Sequence, residues 1–258
     1  MNLSHKSDQP RTADPVYRKL HRAFLALCIL LAPLTISLWF TLCPTGAADA
    51  GCPDRGSSLA VFTAFQTMNP QLMQVFLLLN LVIPYVWPLS YLGLFLLATK
   101  RSPWWATLGI ACGWAGSIPW GLFTAQMATL DVMAQMGPNQ LFVSIENHFY
   151  SNWMISAFAL GWFFHLPSYV FMGIALLRAR AIPLWAAWLI IVSVPLMGPI
   201  AYTPGTNLGL LQVLGFVLVF VGSIPAALAM LNLSNVKTPI HAGEEPAPAR
   251  LQWARKKN

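Results

Sequence analysis

The chain has 258 residues, 57% of them hydrophobic and only 9% charged, and a formal net charge of +7. A water-soluble domain carries roughly 25% charged residues, so that class is excluded, and the hydrophobic content places the chain among membrane proteins. Four cysteines are too few for a disulfide-built secreted scaffold.

Six apolar runs recur, at about 23–42, 71–97, 104–126, 150–177, 184–203 and 208–231. Each approaches the 20 or so residues that cross a hydrocarbon core of roughly 30 Å. In lipid such runs must be helices, because unpaired backbone N–H and C=O groups find no partner there. The expected fold class is therefore all-α, a polytopic bundle of six transmembrane helices. The expected division is a cytoplasmic segment at 1–22, a membrane domain at 23–231 and a basic, unstructured tail at 232–258.

The segment before the first run carries Lys6, Arg11, Arg18, Lys19 and Arg22. Lys100 and Arg101 follow the second run, Arg178 and Arg180 the fourth, and Lys237, Arg250, Arg255, Lys256 and Lys257 the sixth. With six spans, fourteen of the fifteen basic residues share one face, Arg55 being the exception. Basic loops stay in the cytoplasm, so both termini are expected inside, in the inner (plasma) membrane. The charge then meets anionic lipid headgroups at the cytoplasmic face, at about 1 kcal/mol per basic residue. No nucleic-acid partner is needed to explain it.

The first run is followed by Ala48-Asp49-Ala50, which has the form of a signal-peptidase site, but the run exceeds the usual 7–15-residue signal core. An uncleaved signal-anchor is expected. Beyond it, Cys43 and Cys52 lie in a Gly/Pro-rich outer loop and are the candidate disulfide. Their spacing leaves the paired and unpaired states both open. Cys28 and Cys112, inside spans, read as small packing residues.

Before the second and fourth runs, residues 57–68 and 139–148 mix apolar and polar positions and are expected to form short outer helices. Asn69-Pro70 reads as the cap and first residue of the second span. Every span contains proline, which removes a helix hydrogen bond and frees a carbonyl. Gly-Ser-Ile-Pro occurs at 116–119 and again at 222–225, where small residues allow close helix contact.

Shifting the chain by 80 residues overlays Gly93-Leu94-Phe95-Leu96-Leu97 on Gly173-Ile174-Ala175-Leu176-Leu177, and Pro103 and Trp105-Ala106 on Pro183 and Trp185-Ala186. Six of the fourteen positions from 93 to 106 are identical under the shift. Two readings fit: a duplicated hairpin (spans two–three and four–five) about an axis near the membrane normal, or convergent loop chemistry. The stretch from Gly173 to Ala187, with His165 upstream, resembles one found in uncharacterised bacterial multi-spanning integral membrane proteins. The resemblance covers about one hairpin and implies a bacterial source and no assigned activity.

His165 is the readily titratable side chain deep in a span, and an intramembrane ionisable group is a functional candidate by default. At helical spacing its face includes Gly161, Trp162, Ser168, Tyr169 and Met172. The 80-residue shift makes Tyr85 its counterpart, so His165, Tyr85, Tyr169 and Ser168 form the candidate ligand-binding set. The alternative is a neutral packing histidine bonded to a neighbouring Ser, Tyr or Asn. His21 and His148 lie towards opposite faces, which disfavours bis-histidine haem. Glu146-Asn147-His148 with Asp131 is an outer acid–base cluster, read as solvated loop. HExxH, G-x-S-x-G and Walker patterns are absent. No catalytic residue, metal or cofactor is therefore assigned.

The leading expectation is a membrane protein that binds or passes a small neutral or apolar molecule or lipid within its bundle. One alternative is a non-enzymatic accessory or sensory subunit, acting through a membrane-protein partner or a second copy. The other is a membrane enzyme on lipid or quinone. Spans without acidic residues argue against ordinary proton or sodium coupling.

Overall fold

The computed structural model describes residues 15–42, 58–137, 139–200 and 208–233. Within them the chain is entirely helical: α1 (Pro15–Leu42), α2 (Ser58–Thr67), α3 (Pro70–Ala98), α4 (Pro103–Gln135), α5 (Gln140–Ser151), α6 (Trp153–Leu160), α7 (His165–Ala179), α8 (Leu184–Pro195) and α9 (Leu208–Asn232). A 3-10 turn, Gly161–Phe164, joins α6 to α7, and a wide turn, Leu196–Ile200, extends α8. Cys43, Cys52, the residues around Ala48 and the basic tail lie outside the described residues.

Four helical stretches are long and apolar enough to cross a membrane: Val16–Leu42, Pro70–Ala98, Trp153–Ala179 and Leu210–Asn232. The other two expected spans differ for visible reasons. Helix α4 has ample length at 33 residues, but Ser117, Thr124, Gln126, Thr129 and Asp131 dilute its apolar character. Helix α8 runs 12 residues before Gly198 leaves helical geometry, at φ −108° and ψ −105°, between Pro195 and Pro199. Helix α1 also starts earlier than its apolar run, at Pro15, whose fixed φ suits a first turn.

Helix α1 packs between α9 and α3; α3 packs on α4, α4 on α7, α7 on α8, and α8 on α9. Helices α1, α3, α4, α7, α8 and α9 thus close a ring, with α3 also touching α7 and α9 across its interior. Leu20, Leu27, Leu78, Leu81, Trp114 and Ile118 stand exposed on its outer surface, an apolar belt that suits lipid.

The two ends of the ring differ. Among the described residues every Lys and Arg (Arg18, Lys19, Arg22, Lys100, Arg101, Arg178 and Arg180) falls at the end where α3 turns into α4 and α7 into α8. Arg101 joins those two turns by donating from Nη1 to the Ala179 carbonyl at 3.3 Å. The described acids, Asp131 and Glu146, belong to the opposite end, with α2 and α5. There three asparagines cap helices: Asn69 Oδ1 accepts from Gln71 N at 2.9 Å, Asn139 from Leu141 N at 2.8 Å, and Asn152 from Met154 N at 3.0 Å. The expected Asn69-Pro70 cap and both short outer helices are present.

Towards the basic end the helices touch through glycine. A Cβ on Gly222 would lie 2.7 Å from the Ala186 carbonyl oxygen, and one on Gly109 3.2 Å from the Met172 nitrogen. Such contacts bring backbones together without intervening side chains. Towards the other end, carbonyls at helix breaks are answered from the neighbouring helix. Pro84 cannot donate to the Asn80 carbonyl, and Thr124 Oγ1 of α4 does so at 2.9 Å. At the α8 break, Gln212 Nε2 of α9 donates to the Met197 carbonyl at 2.6 Å. Both pairs satisfy a backbone group that lipid would leave bare.

Candidate functional site

Helix α7 begins where Gly161 and Pro167 disturb regular helix. The tight turn at 161–164 brings Trp162 and His165 onto one another, with ring centroids 4.4 Å apart. Helix α4 presents Gly116 directly to the His165 backbone, where a Cβ would sit 2.5 Å from its nitrogen. His165 is fully buried. Its ring lies 5.3 Å from Trp87 of α3, 6.2 Å from Tyr169, and stacks at 6.2 Å on Phe216 of α9.

Hydrogen bonding fixes the imidazole's tautomer. Nδ1 faces the Trp162 carbonyl. A carbonyl only accepts, so Nδ1 carries the hydrogen, and Nε2 of the neutral ring is an acceptor. Nε2 is buried with no hydrogen-bond partner among the described residues. The anticipated bond from His165 to a Ser, Tyr or Asn side chain is therefore replaced by a backbone contact that leaves one nitrogen open.

Beside it runs a satisfied network. Trp87 Nε1 donates to the Tyr169 hydroxyl at 3.0 Å. Ser168 Oγ donates to the His165 carbonyl and lies 2.7 Å from the Tyr91 hydroxyl, which then donates to Ser168. Outward from His165, away from the basic end, satisfaction fails. The indole nitrogens of Trp162, Trp120 and Trp39 are buried without partners among the described residues. Their rings form one succession: Trp162–Trp120 at 6.2 Å and Trp120–Trp39 at 5.1 Å. Asn80 Oδ1 and Gln212 Oε1 share this condition and the same half of the ring.

Of the expected set, His165, Ser168 and Tyr169 come together and Tyr85 does not. Tyr85 is 67% exposed on the outside of α3. The inward stripe of α3 runs Phe76, Asn80, Ile83, Trp87, Ser90, Tyr91 and Leu94, and two residues' rotation, about 200°, takes Tyr85 off it. Buried positions superpose at a shift of 78 residues: Trp87 on His165, Ser90 on Ser168 and Tyr91 on Tyr169. Two extra residues, Val170 and Phe171, then restore the 80-residue spacing at Gly173. The counterpart of His165 is Trp87.

The outer acid–base cluster divides. Asn147 and His148 are exposed, and His148 Nδ1 lies 2.8 Å from the Ser144 carbonyl of its own helix. Glu146, read from sequence as part of a solvated loop, is buried in α5 and accepts from Gln126 Nε2 of α4 at 2.7 Å. Burial pushes its carboxyl up from the ordinary 4.5, and the Gln126 bond opposes this. Asp131 instead accepts from Gln135 at 2.8 Å. A cleft of about 260 Å³ between α2, α3 and α4 borders Asp131, Gln66 and Gln74 and does not include His165 or the rings around it. Among the described residues no His, Cys, Asp and Glu gather as a metal site.

Sequence reasoning sought ionisable groups and so passed over Asn80, Gln126 and Gln212. A lone amide in a long apolar helix was the available signal, because such a group needs an inward partner. No family model matches the chain, and no similar characterised protein or solved structure was found.

Proposed function

We propose that this is a six-span protein of a bacterial inner membrane, with its basic end in the cytoplasm, which takes up a small neutral or apolar molecule or lipid beside His165. One observation carries the reading: a fully buried imidazole nitrogen with no partner among the described residues, at the centre of the ring, continued outward by three indole N–H groups in the same state. A buried polar group left unpaired costs about 1–3 kcal/mol. A scaffold would gain stability by replacing such groups with apolar ones, so their accumulation along one column favours a ligand that satisfies them.

The six-span arrangement draws support from the ring, in which α4 and α8 occupy positions equivalent to the four span-length helices, and from the gathering of described basic residues at one end. A single cysteine at Arg101 is expected to label only from the cytoplasmic side, and labelling from outside would refute the orientation. Photolabelling with a diazirine-bearing alkyl probe, in the protein embedded in lipid, tests the uptake. Adducts on Trp162, His165 or Phe216 are expected. Adducts confined to belt residues such as Tyr85 and Leu81 would refute it.

A further inference from the structure

We infer that the His165 site binds a molecule through a hydroxyl group, the ligand being an alcohol or phenol on an otherwise apolar body. This rests on the reading that the interior takes up a small molecule, and it names the chemistry by which that molecule is held.

The argument is one of donors and acceptors. With Nδ1–H given to the Trp162 carbonyl, His165 Nε2 offers a lone pair and no hydrogen. The indole of Trp162, centred 4.4 Å from the imidazole, offers a hydrogen and no lone pair. Both atoms are buried and have no partner among the described residues. A ligand carbonyl would answer the indole and leave Nε2 bare. An ammonium group would answer Nε2 and leave the indole bare. A hydroxyl oxygen does both: its O–H donates to Nε2 while its lone pairs accept from the indole. Trp120, 6.2 Å beyond Trp162, brings a second unpartnered N–H for the other lone pair or for a second oxygen. The groups packed against the imidazole are rings, Trp87, Tyr169 and Phe216, so the rest of the ligand is apolar or aromatic.

The arrangement of His165 follows a wider rule. An imidazole whose Nδ1–H is held by a backbone carbonyl is oriented to present Nε2 to something else. A packing histidine has no use for that orientation when Nε2 then faces indoles and phenyl rings. Water also donates and accepts, so the experiment must separate it from an organic hydroxyl.

The test uses the full chain in nanodiscs and two probes of nearly equal size, 4-octylphenol and its methyl ether. The ether keeps the oxygen and loses the hydrogen. Saturable binding above that of protein-free nanodiscs is expected for the phenol, about tenfold tighter than for the ether. That is the ratio of a hydrogen bond worth about 1.4 kcal/mol. In ¹⁵N-histidine spectra the phenol should move the His165 Nε2 resonance and the ether should not. His165→Phe and Trp162→Phe should each bind the two probes alike, and His165→Gln, which returns an acceptor near Nε2, should restore part of the preference. Equal saturable binding of phenol and ether to the natural protein would overturn the hydroxyl assignment and leave uptake standing. Failure of both probes to saturate, with Nε2 already hydrogen-bonded in the spectrum, would identify water as the occupant and overturn the assignment together with its support for uptake. Should His165→Phe fail to fold, Trp162→Phe and the spectrum of the natural protein still decide.

Discussion

The half of the ring nearest the basic loops and the half beyond His165 are built from the same helices on different rules. In the first, glycines bring backbones together, and the orphaned buried polar atoms among the described residues are two serine hydroxyls, on Ser102 and Ser223. In the second, helices are capped by asparagine, broken at Gly161 and Gly198, and filled with indoles and amides whose hydrogen bonds are incomplete. Packing energy is gathered at one end and unspent hydrogen-bonding capacity at the other. A protein optimised only for stability has no reason to keep that division.

The largest expected effect tests the close-packed half. Gly222→Val should cost about 3 kcal/mol, because the new side chain meets the Ala186 backbone rather than a flexible tip. The melting temperature in detergent should fall by roughly 10 °C. Gly121→Val, where nothing lies within 4 Å of the added Cβ, should be tolerated, and equal losses at both positions would erase the contrast. Next, Gln212→Leu should cost about 2 kcal/mol by leaving the Met197 carbonyl buried without a donor. Asn69→Ala should cost about 1 kcal/mol through loss of the α3 cap.

Glu146 gives a pH signature to the same half. Its carboxyl is raised in the folded protein, so its neutral form is the one that folding favours. The associated stability is full below the ordinary value of 4.5 and is lost as pH rises through the raised value. A melting temperature that declines from acid towards neutral pH is expected, and Glu146→Gln should flatten that slope. The smallest effect sharpens the comparison most. Trp120→Phe removes an N–H that has no partner among the described residues, so thermal stability should change by less than about 0.5 kcal/mol. Binding of the phenol probe should weaken, and a large loss of stability instead would mean that the indole is structural.

The membrane class, the separation of basic from acidic residues and the two short outer helices were legible in composition, length and local capping chemistry. Asn69-Pro70 could be read as a helix start because its signal is local. The site was half legible. Ser168 and Tyr169 share a helical face with His165, and 100° per residue suffices to place them. Tyr85 was misplaced because an alignment counts residues while burial counts rotation, and the two extra residues after Tyr169 turn the face. Glu146 could not be placed from sequence, since its burial depends on Gln126, twenty positions away on another helix. Helices α4 and α8 were legible as apolar runs, but the break that ends α8 after 12 residues turns on the geometry of Gly198 between Pro195 and Pro199, which a count of apolar residues does not show.

Closure of the ring by α1 against α9 has a consequence for biogenesis. Among the described helices, Phe216 and Gln212 belong to α9, made last, while Trp39 belongs to α1, made first. At 5–20 residues per second, roughly ten to thirty seconds of synthesis separate Leu42 from Leu208. Throughout that interval the wall that α9 will supply is missing, and the seam beside α1 faces the bilayer sideways. Until α9 is made, the His165 ring therefore lacks the Phe216 face on which it stacks.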